Sequence, residues 1–246
     1  MKRKNKKKKL RLLVIFILLF ALISYFFHDY DFDVGQVESE TTDQSTESRL
    51  NQLSYEVRDK IKKANIYLQT NYQDGYEFGS GTIINEDETY YYAITNYHVI
   101  DGNNHVINSY EVMTYDEITT SFEIITYEEN LDLALIKFSK ASRDESIEPL
   151  SINNQSSIDD LVCSIGNPSG TFGQITYGFI HDITQLRELE LTHEVIEHSA
   201  TLLNGSSGGA LVNNQGELLG INTWTLNGSF YAIRSSVIND FLINNI

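Results

Sequence analysis

The chain has 246 residues, 41% of them hydrophobic, enough for one large domain or two small ones and too much for a chain disordered throughout. Its net charge of −16 is split, with eight of the 18 Lys and Arg and no acid in residues 1–11 (MKRKNKKKKLR), and ten cations against 34 acids in the rest. An acidic body argues against a nucleic-acid partner, the single cysteine (Cys163) rules out an internal disulfide, and no Cys/His spacing suggests a zinc site.

The first predicted element follows the basic tail. Residues 12–27, LLVIFILLFALISYFF, carry no charge. That is slightly short of the ~20 residues of a straight transmembrane helix. Leu10 and a snorkelling Arg11 can lengthen it at one end, and Tyr25, Phe26 and Phe27 suit the opposite interface. The bulky SYFFHDYDFD that follows lacks the small-residue site of a cleaved signal peptide, so the segment reads as an uncleaved signal anchor. The basic tail then stays in the cytoplasm and the rest of the chain lies outside the cell membrane, where the lack of paired cysteines suits a bacterial exterior that does not rely on disulfides. Residues 28–49, acidic and rich in Ser and Thr, read as a solvated linker.

Leu50, Leu53, Val57, Ile61 and Ala64 recur at the spacing of a short amphipathic helix. From residue 65 the pattern changes to short apolar or alternating runs separated by DG, QG and NG turns. They are NIYLQTNY, FGSGTIIN, YYYAITNYHVI, EVMTYD, SFEIITYE, LDLALIKFS, LVCSIG, GQITYGFIHDI, HEVIEHSA, GALVNN, GELLGINTWT and GSFYAIR, and SVINDFLINNI suits a closing helix. A dozen short strands in so short a span indicate an all-β barrel or sandwich, and EPLSINNQSS divides the region into similar halves.

The stretch NGSSGGAL (204–211) fits Gly-x-Ser-Gly-Gly with Ser207 at the centre, because Ser206 has no glycine two places upstream. Such a loop can aim the N–H groups of Gly205 and Ser207 at a developing oxyanion, and the expected oxyanion hole is Gly205, Ser206 and Ser207. Glycine-serine clusters are also ordinary loops. A serine nucleophile needs a base, and His98, in AITNYHVI at the end of an apolar strand, has the most informative setting of the six histidines. A base needs an orienting carboxylate. Asp132, before the apolar LALIKF, would be costly to bury without a partner, whereas Asp101 in VIDGNN is a normal turn aspartate. The chain order is His98, Asp132, Ser207.

With these residues in place, the chain resembles the trypsin-like serine protease superfamily, in its HtrA/Deg branch. The matching pieces are GSGTII (79–84), ITNYHVI (94–100), DLALIKF (132–138), SIGNPSG (164–170) and NGSSGGALVNNQGELLGINT (204–223). The resemblance implies two six-stranded β-barrels, about 65–150 and 151–240, within a protease domain at 50–246. It implies Ser207 as nucleophile, His98 as base and Asp132 as its orienter, with no cofactor and no metal. Polypeptides, extended or unfolded, would be the substrates, and a homotrimer is the assembly such families often adopt.

The resemblance also implies a substrate site. Thr201 falls near the floor of the S1 pocket and is not acidic, so Lys or Arg at P1 is not expected; a small or medium apolar residue is. Trp224 falls on a pocket-wall strand, and Thr223, Trp224 and Thr225 form the edge expected to dock substrate backbone. Two departures stand out. Asn204-Gly205-Ser206-Ser207 replaces the family's Pro-Gly-Asn-Ser, and no PDZ-like domain is expected after the protease domain. The rival reading is a catalytically silent relative that uses the same fold for binding or sensing.

Overall fold

The computed structural model of the protein describes residues 53–140, 147–185 and 193–245. The basic tail, the apolar run 12–27, the acidic linker and Leu50 lie outside them. Among the described residues, no helix is long and apolar enough to cross a membrane.

Helix α1, Tyr55–Ala64, begins at Ser54, whose Oγ accepts from the Val57 N–H at 3.2 Å and so satisfies one of the open donors of the first turn. Ile61 and Ala64 are buried, and Leu53 is buried just ahead of the helix. Val57 and Ile61 sit against Gly216, which lies in the second half of the chain.

Six strands follow: β1 (Asn65–Tyr72), β2 (Gly75–Glu86), β3 (Tyr90–Thr95), β4 (Ile107–Met113), β5 (Thr119–Glu128) and β6 (Leu133–Ser139). They close into a barrel in the order β1-β2-β3-β6-β5-β4. A second set comprises β7 (Leu161–Gly166), β8 (Gln174–Thr184), β9 (Val195–His198), β10 (Ala210–Val212), β11 (Leu218–Leu226) and β12 (Ser229–Arg234). These close in the order β10-β11-β12-β9-β8-β7, and helix α2 (Ser235–Asn245) ends the fold. The protein is therefore all-β with two closed six-stranded barrels.

Two strands differ from the sequence pattern for local reasons. EVMTYD stops at Met113, because the Thr114 N–H bonds to the Ile118 carbonyl and Glu117 takes a φ of 61°, which turns the chain. LDLALIKFS starts only at Leu133, because Asp132 is left-handed (φ 53°, ψ 41°).

In β6, Leu133, Ala134, Leu135 and Ile136 are all buried, so this strand is covered on both faces. Each such Leu or Ile contributes about 1.5–3 kcal/mol. One apolar cluster joins Ile66, Ile83 and Leu135 of the first barrel to Ile165, Val212 and Ile233 of the second, with Phe241 of α2. The loops that follow β3, precede β6 and precede β10 are thereby held on a firm base.

Candidate active site

β3 ends in buried Thr95, and Asn96 is buried behind it before a single 3-10 turn, Tyr97–Val99, carries His98. The His98 backbone N–H donates to Asp132 Oδ1 at 3.0 Å. Its ring Nδ1 lies 2.9 Å from Asp132 Oδ2 and 3.0 Å from Oδ1. Asp132 is 9% exposed. Two further donors hold it: Asn96 Nδ2 on its carbonyl at 3.0 Å and Thr223 Oγ1 on Oδ2 at 2.7 Å. A left-handed non-glycine residue costs about 1–3 kcal/mol and persists where its surroundings over-determine it, as these contacts do.

A carboxylate accepts only, so Nδ1 carries the proton and the other ring nitrogen, Nε2, is left with its lone pair. Burial pulls the His98 pKa down, but the hydrogen bond and charge of Asp132, with Asp101 and Glu77 behind it, outweigh burial and hold it above its ordinary value.

Ser207 lies on the loop before β10. The Ser206 N–H bonds to the Leu203 carbonyl at 2.9 Å, and Gly205 has φ 97° while Asn204 has no positive φ. Residues 203–206 are thus a type II turn, which needs glycine at its third position. The Asn204 carbonyl accepts from the Ser169 N–H at 2.7 Å. A trans peptide then points the Gly205 N–H the opposite way. Among the described residues, neither the Gly205 nor the Ser207 N–H has an acceptor. Ser206 differs: its N–H is committed to Leu203, its Oγ accepts from the Leu203 N–H at 3.1 Å, and it is 5% exposed. Of the two serines, the turned-in one is Ser206, and with its N–H spent on the turn it offers no oxyanion donor, unlike the expectation that counted it with Gly205 and Ser207.

The Ser207 hydroxyl donates to the Thr223 carbonyl at 3.3 Å and makes no hydrogen bond to His98. Gly208 is forced: at φ 84°, a Cβ there would sit 2.0 Å from the Ser80 carbonyl oxygen and 2.3 Å from Thr95 Oγ1.

His98, Asp132, Ser206, Ser207, Thr223, Trp224 and Thr225 line one open cleft of about 920 Å³, together with Leu202 and Leu203. Thr201 is exposed, its carbonyl accepts from Thr176 Oγ1, and it is not among the lining residues. The β11–β12 register shifts between Asn222 and Trp224, so Thr223 sits in a bulge. Bulges re-aim side chains, and here the Thr223 hydroxyl reaches Asp132. Pairing of β11 with β10 stops at Ile221, so beyond it β11 pairs only with β12 among the described residues. Asn96 and the hydroxyl of Thr223 were not legible as site groups in the sequence; the signal was the polar residue beside each motif, Asn96 in TNYHVI and Thr223 in GINT.

Residues 79–221, more than half of the chain, match the family described as trypsin-like peptidase domain. The chain belongs to the trypsin-like peptidase family. Within it the chain is of the HtrA type. It is 34% identical over 146 residues to a probable periplasmic serine endoprotease, DegP-like, of Buchnera aphidicola subsp. Schizaphis graminum, covering 59% of this chain and 29% of that protein. It is 32% identical over 173 residues to the serine endoprotease DegS of Escherichia coli K12, covering 67% of this chain and 46% of that one. The crystal structure of the serine endoprotease from Yersinia pestis superposes with a TM-score of 0.65 at 27% identity, over 78% of this chain and 66% of that chain. The chain thus spans less than half the length of these two sequence relatives.

Proposed function

We propose that the protein is a serine endopeptidase that cleaves polypeptides through an acyl-enzyme, with Ser207 as nucleophile. The observation that carries this reading is a His98–Asp132 pair, hydrogen-bonded at 2.9 Å, that shares one cleft with Ser207, on a loop where the Gly205 and Ser207 N–H groups have no acceptor among the described residues.

In the proposed reaction Ser207 Oγ attacks the scissile carbonyl while His98 Nε2 takes its proton. The imidazolium is stabilised by the Asp132 carboxylate. Charge develops on the substrate oxygen, and the Gly205 and Ser207 N–H groups meet it; removing one such donor typically costs about 10²–10³ in rate. His98 then gives its proton to the leaving amine, and water repeats the cycle on the acyl-enzyme. The unpaired side of Thr223–Thr225 receives the substrate backbone as an added strand.

The uncharged run 12–27, flanked by eight cations, supports a single-pass anchor with the protease on the outer side of a bacterial membrane. Protein quality control or processing of surface proteins is the corresponding role, and a homotrimer the corresponding assembly. A second reading, a latent protease, rests on the Ser207–Thr223 bond, which a rotation about Cα–Cβ must break before attack. Exposure of the folded protein to an unfolded protein substrate such as casein tests the proposal. Cleavage that is abolished in Ser207→Ala supports it. No cleavage, with fluorophosphonate labelling at Ser207 retained, favours a protease restricted to other substrates; loss of both favours latency.

A further inference from the structure

Between the barrels, behind the 203–207 loop, lies a buried polar relay that no catalytic step uses directly. Its centre is Ser80 on β2, which is fully buried. Ser80 Oγ lies 2.8 Å from the Asn167 backbone N–H and 3.0 Å from Asn167 Nδ2, both of which donate to it. A hydroxyl accepts two bonds and donates one. Both acceptor positions are filled, so its proton goes to the third neighbour, the Gly205 carbonyl at 2.7 Å.

Asn167, also fully buried, is saturated in the same way. Its Oδ1 accepts from Asn65 Nδ2 at 2.9 Å and the Gly173 N–H at 3.0 Å; its Nδ2 donates to the Ile66 carbonyl at 2.8 Å and to Ser80. Four bonds of mixed sign leave only one orientation of the amide. The Ser80 backbone N–H meanwhile donates to the Ser207 carbonyl at 2.7 Å. Ser80 therefore grips the loop twice, at Gly205 and at Ser207, the two residues whose N–H groups lack acceptors.

We propose that Ser80, oriented by Asn167, is a positioning residue for the oxyanion site: by holding the carbonyls of Gly205 and Ser207 it fixes where these two residues, and with them their N–H groups, sit before substrate arrives. This rests on the protease reading above. The 204–205 peptide itself is held by the Ser169 N–H on the Asn204 carbonyl, while Ser80 holds the 205–206 and 207–208 peptides that follow it. The relay thus ties the loop to the first barrel at two points, one on each side of Ser206.

The test compares the parent protein with Ser80→Ala, using p-nitrophenyl acetate hydrolysis (Ser207→Ala as background), fluorophosphonate labelling rate, and inhibition by a peptide boronate with an apolar P1. The boronate adduct is tetrahedral and mimics the transition state. S80A is expected to melt cooperatively, to keep KM within about twofold and to lose about 10²-fold in kcat, the scale of a small misplacement of catalytic groups. Boronate affinity and labelling rate should fall by the same factor. Should S80A not fold, Asn65→Ala, which withdraws a donor from the far side of Asn167, should give a parallel loss of about tenfold in kcat and boronate affinity. Unchanged kcat, or lost kcat with full boronate affinity, overturns the inference in either variant. A parent protein that neither labels nor hydrolyses overturns the reading of an active protease in favour of latency, and this inference with it, whereas an active parent with an unimpaired S80A overturns this inference alone.

Discussion

The hydroxyl of Thr223 donates to Asp132 Oδ2 at 2.7 Å, across 91 positions of sequence and from one barrel to the other. It is the bond by which the second barrel, which carries Ser207, fixes the carboxylate of the first, which carries His98. Hydrogen bonds to charged groups contribute about 1.5–3 kcal/mol. Thr223→Val should therefore lower kcat/KM by roughly tenfold or more, while Thr223→Ser should stay near the parent value. Steady-state kinetics on one peptide substrate checks both; equal losses in the two variants would show that packing of the methyl group matters more than the hydroxyl.

The pH response follows from the direction of the His98 shift. Its folded pKa is raised above the ordinary 6.5 by Asp132, net of burial. The protonated His98–Asp132 pair then stabilises the fold fully below pH 6.5, and that contribution is lost as pH rises through the folded value. Catalysis runs the opposite way, because only neutral His98 can act as base. The acid limb of kcat/KM should lie above pH 6.5, and the melting temperature of the parent relative to His98→Ala should decline over the same window. An acid limb below 6.5 would contradict the assignment of the base.

Gly208→Ala should be severe. The new Cβ meets Ser80 and Thr95 at 2.0–2.3 Å, at a φ of 84° that alanine resists. Overpacking and strain together place the loss at about 3 kcal/mol or more. Denaturant melts measure it, with activity expected to vanish even where the fold survives; a loss under 1 kcal/mol would mean the loop accommodates far more than its contacts suggest.

Cys163 should be inert. It is 1% exposed, and burial pushes its thiol up to about 12. Iodoacetamide should leave the native protein unmodified at neutral pH and alkylate it fully in denaturant, as read by mass spectrometry. Rapid alkylation of the native state would place Cys163 near a route to solvent.

Much of this architecture was legible because each strand carries its own period and turn signals, and because the resemblance rests on motifs contiguous in sequence, such as ITNYHVI and DLALIKF. What was hidden depends on partners far apart. The left-handed backbone of Asp132 follows from Asn96, His98 and Thr223 gripping it together. Ser80 and Asn167 look like ordinary strand and turn residues until the barrels bring them together from 87 positions apart. Thr201 shows the converse: counting back from Ser207 puts it at a pocket floor, but its carbonyl bonds to Thr176 and it is exposed, outside the cleft lining, which Leu202 and Leu203 share instead. The apolar character of Leu202, Leu203 and Trp224 keeps the expectation of an apolar P1, and a peptide-library profile dominated by Lys or Arg would contradict it.

The most direct measurement of the central claim is fluorophosphonate labelling of the folded protein followed by peptide mapping. The account predicts one adduct, on Ser207, absent in Ser207→Ala and strongly slowed in His98→Ala. An adduct on the buried Ser206, or none on folded parent protein, would contradict it.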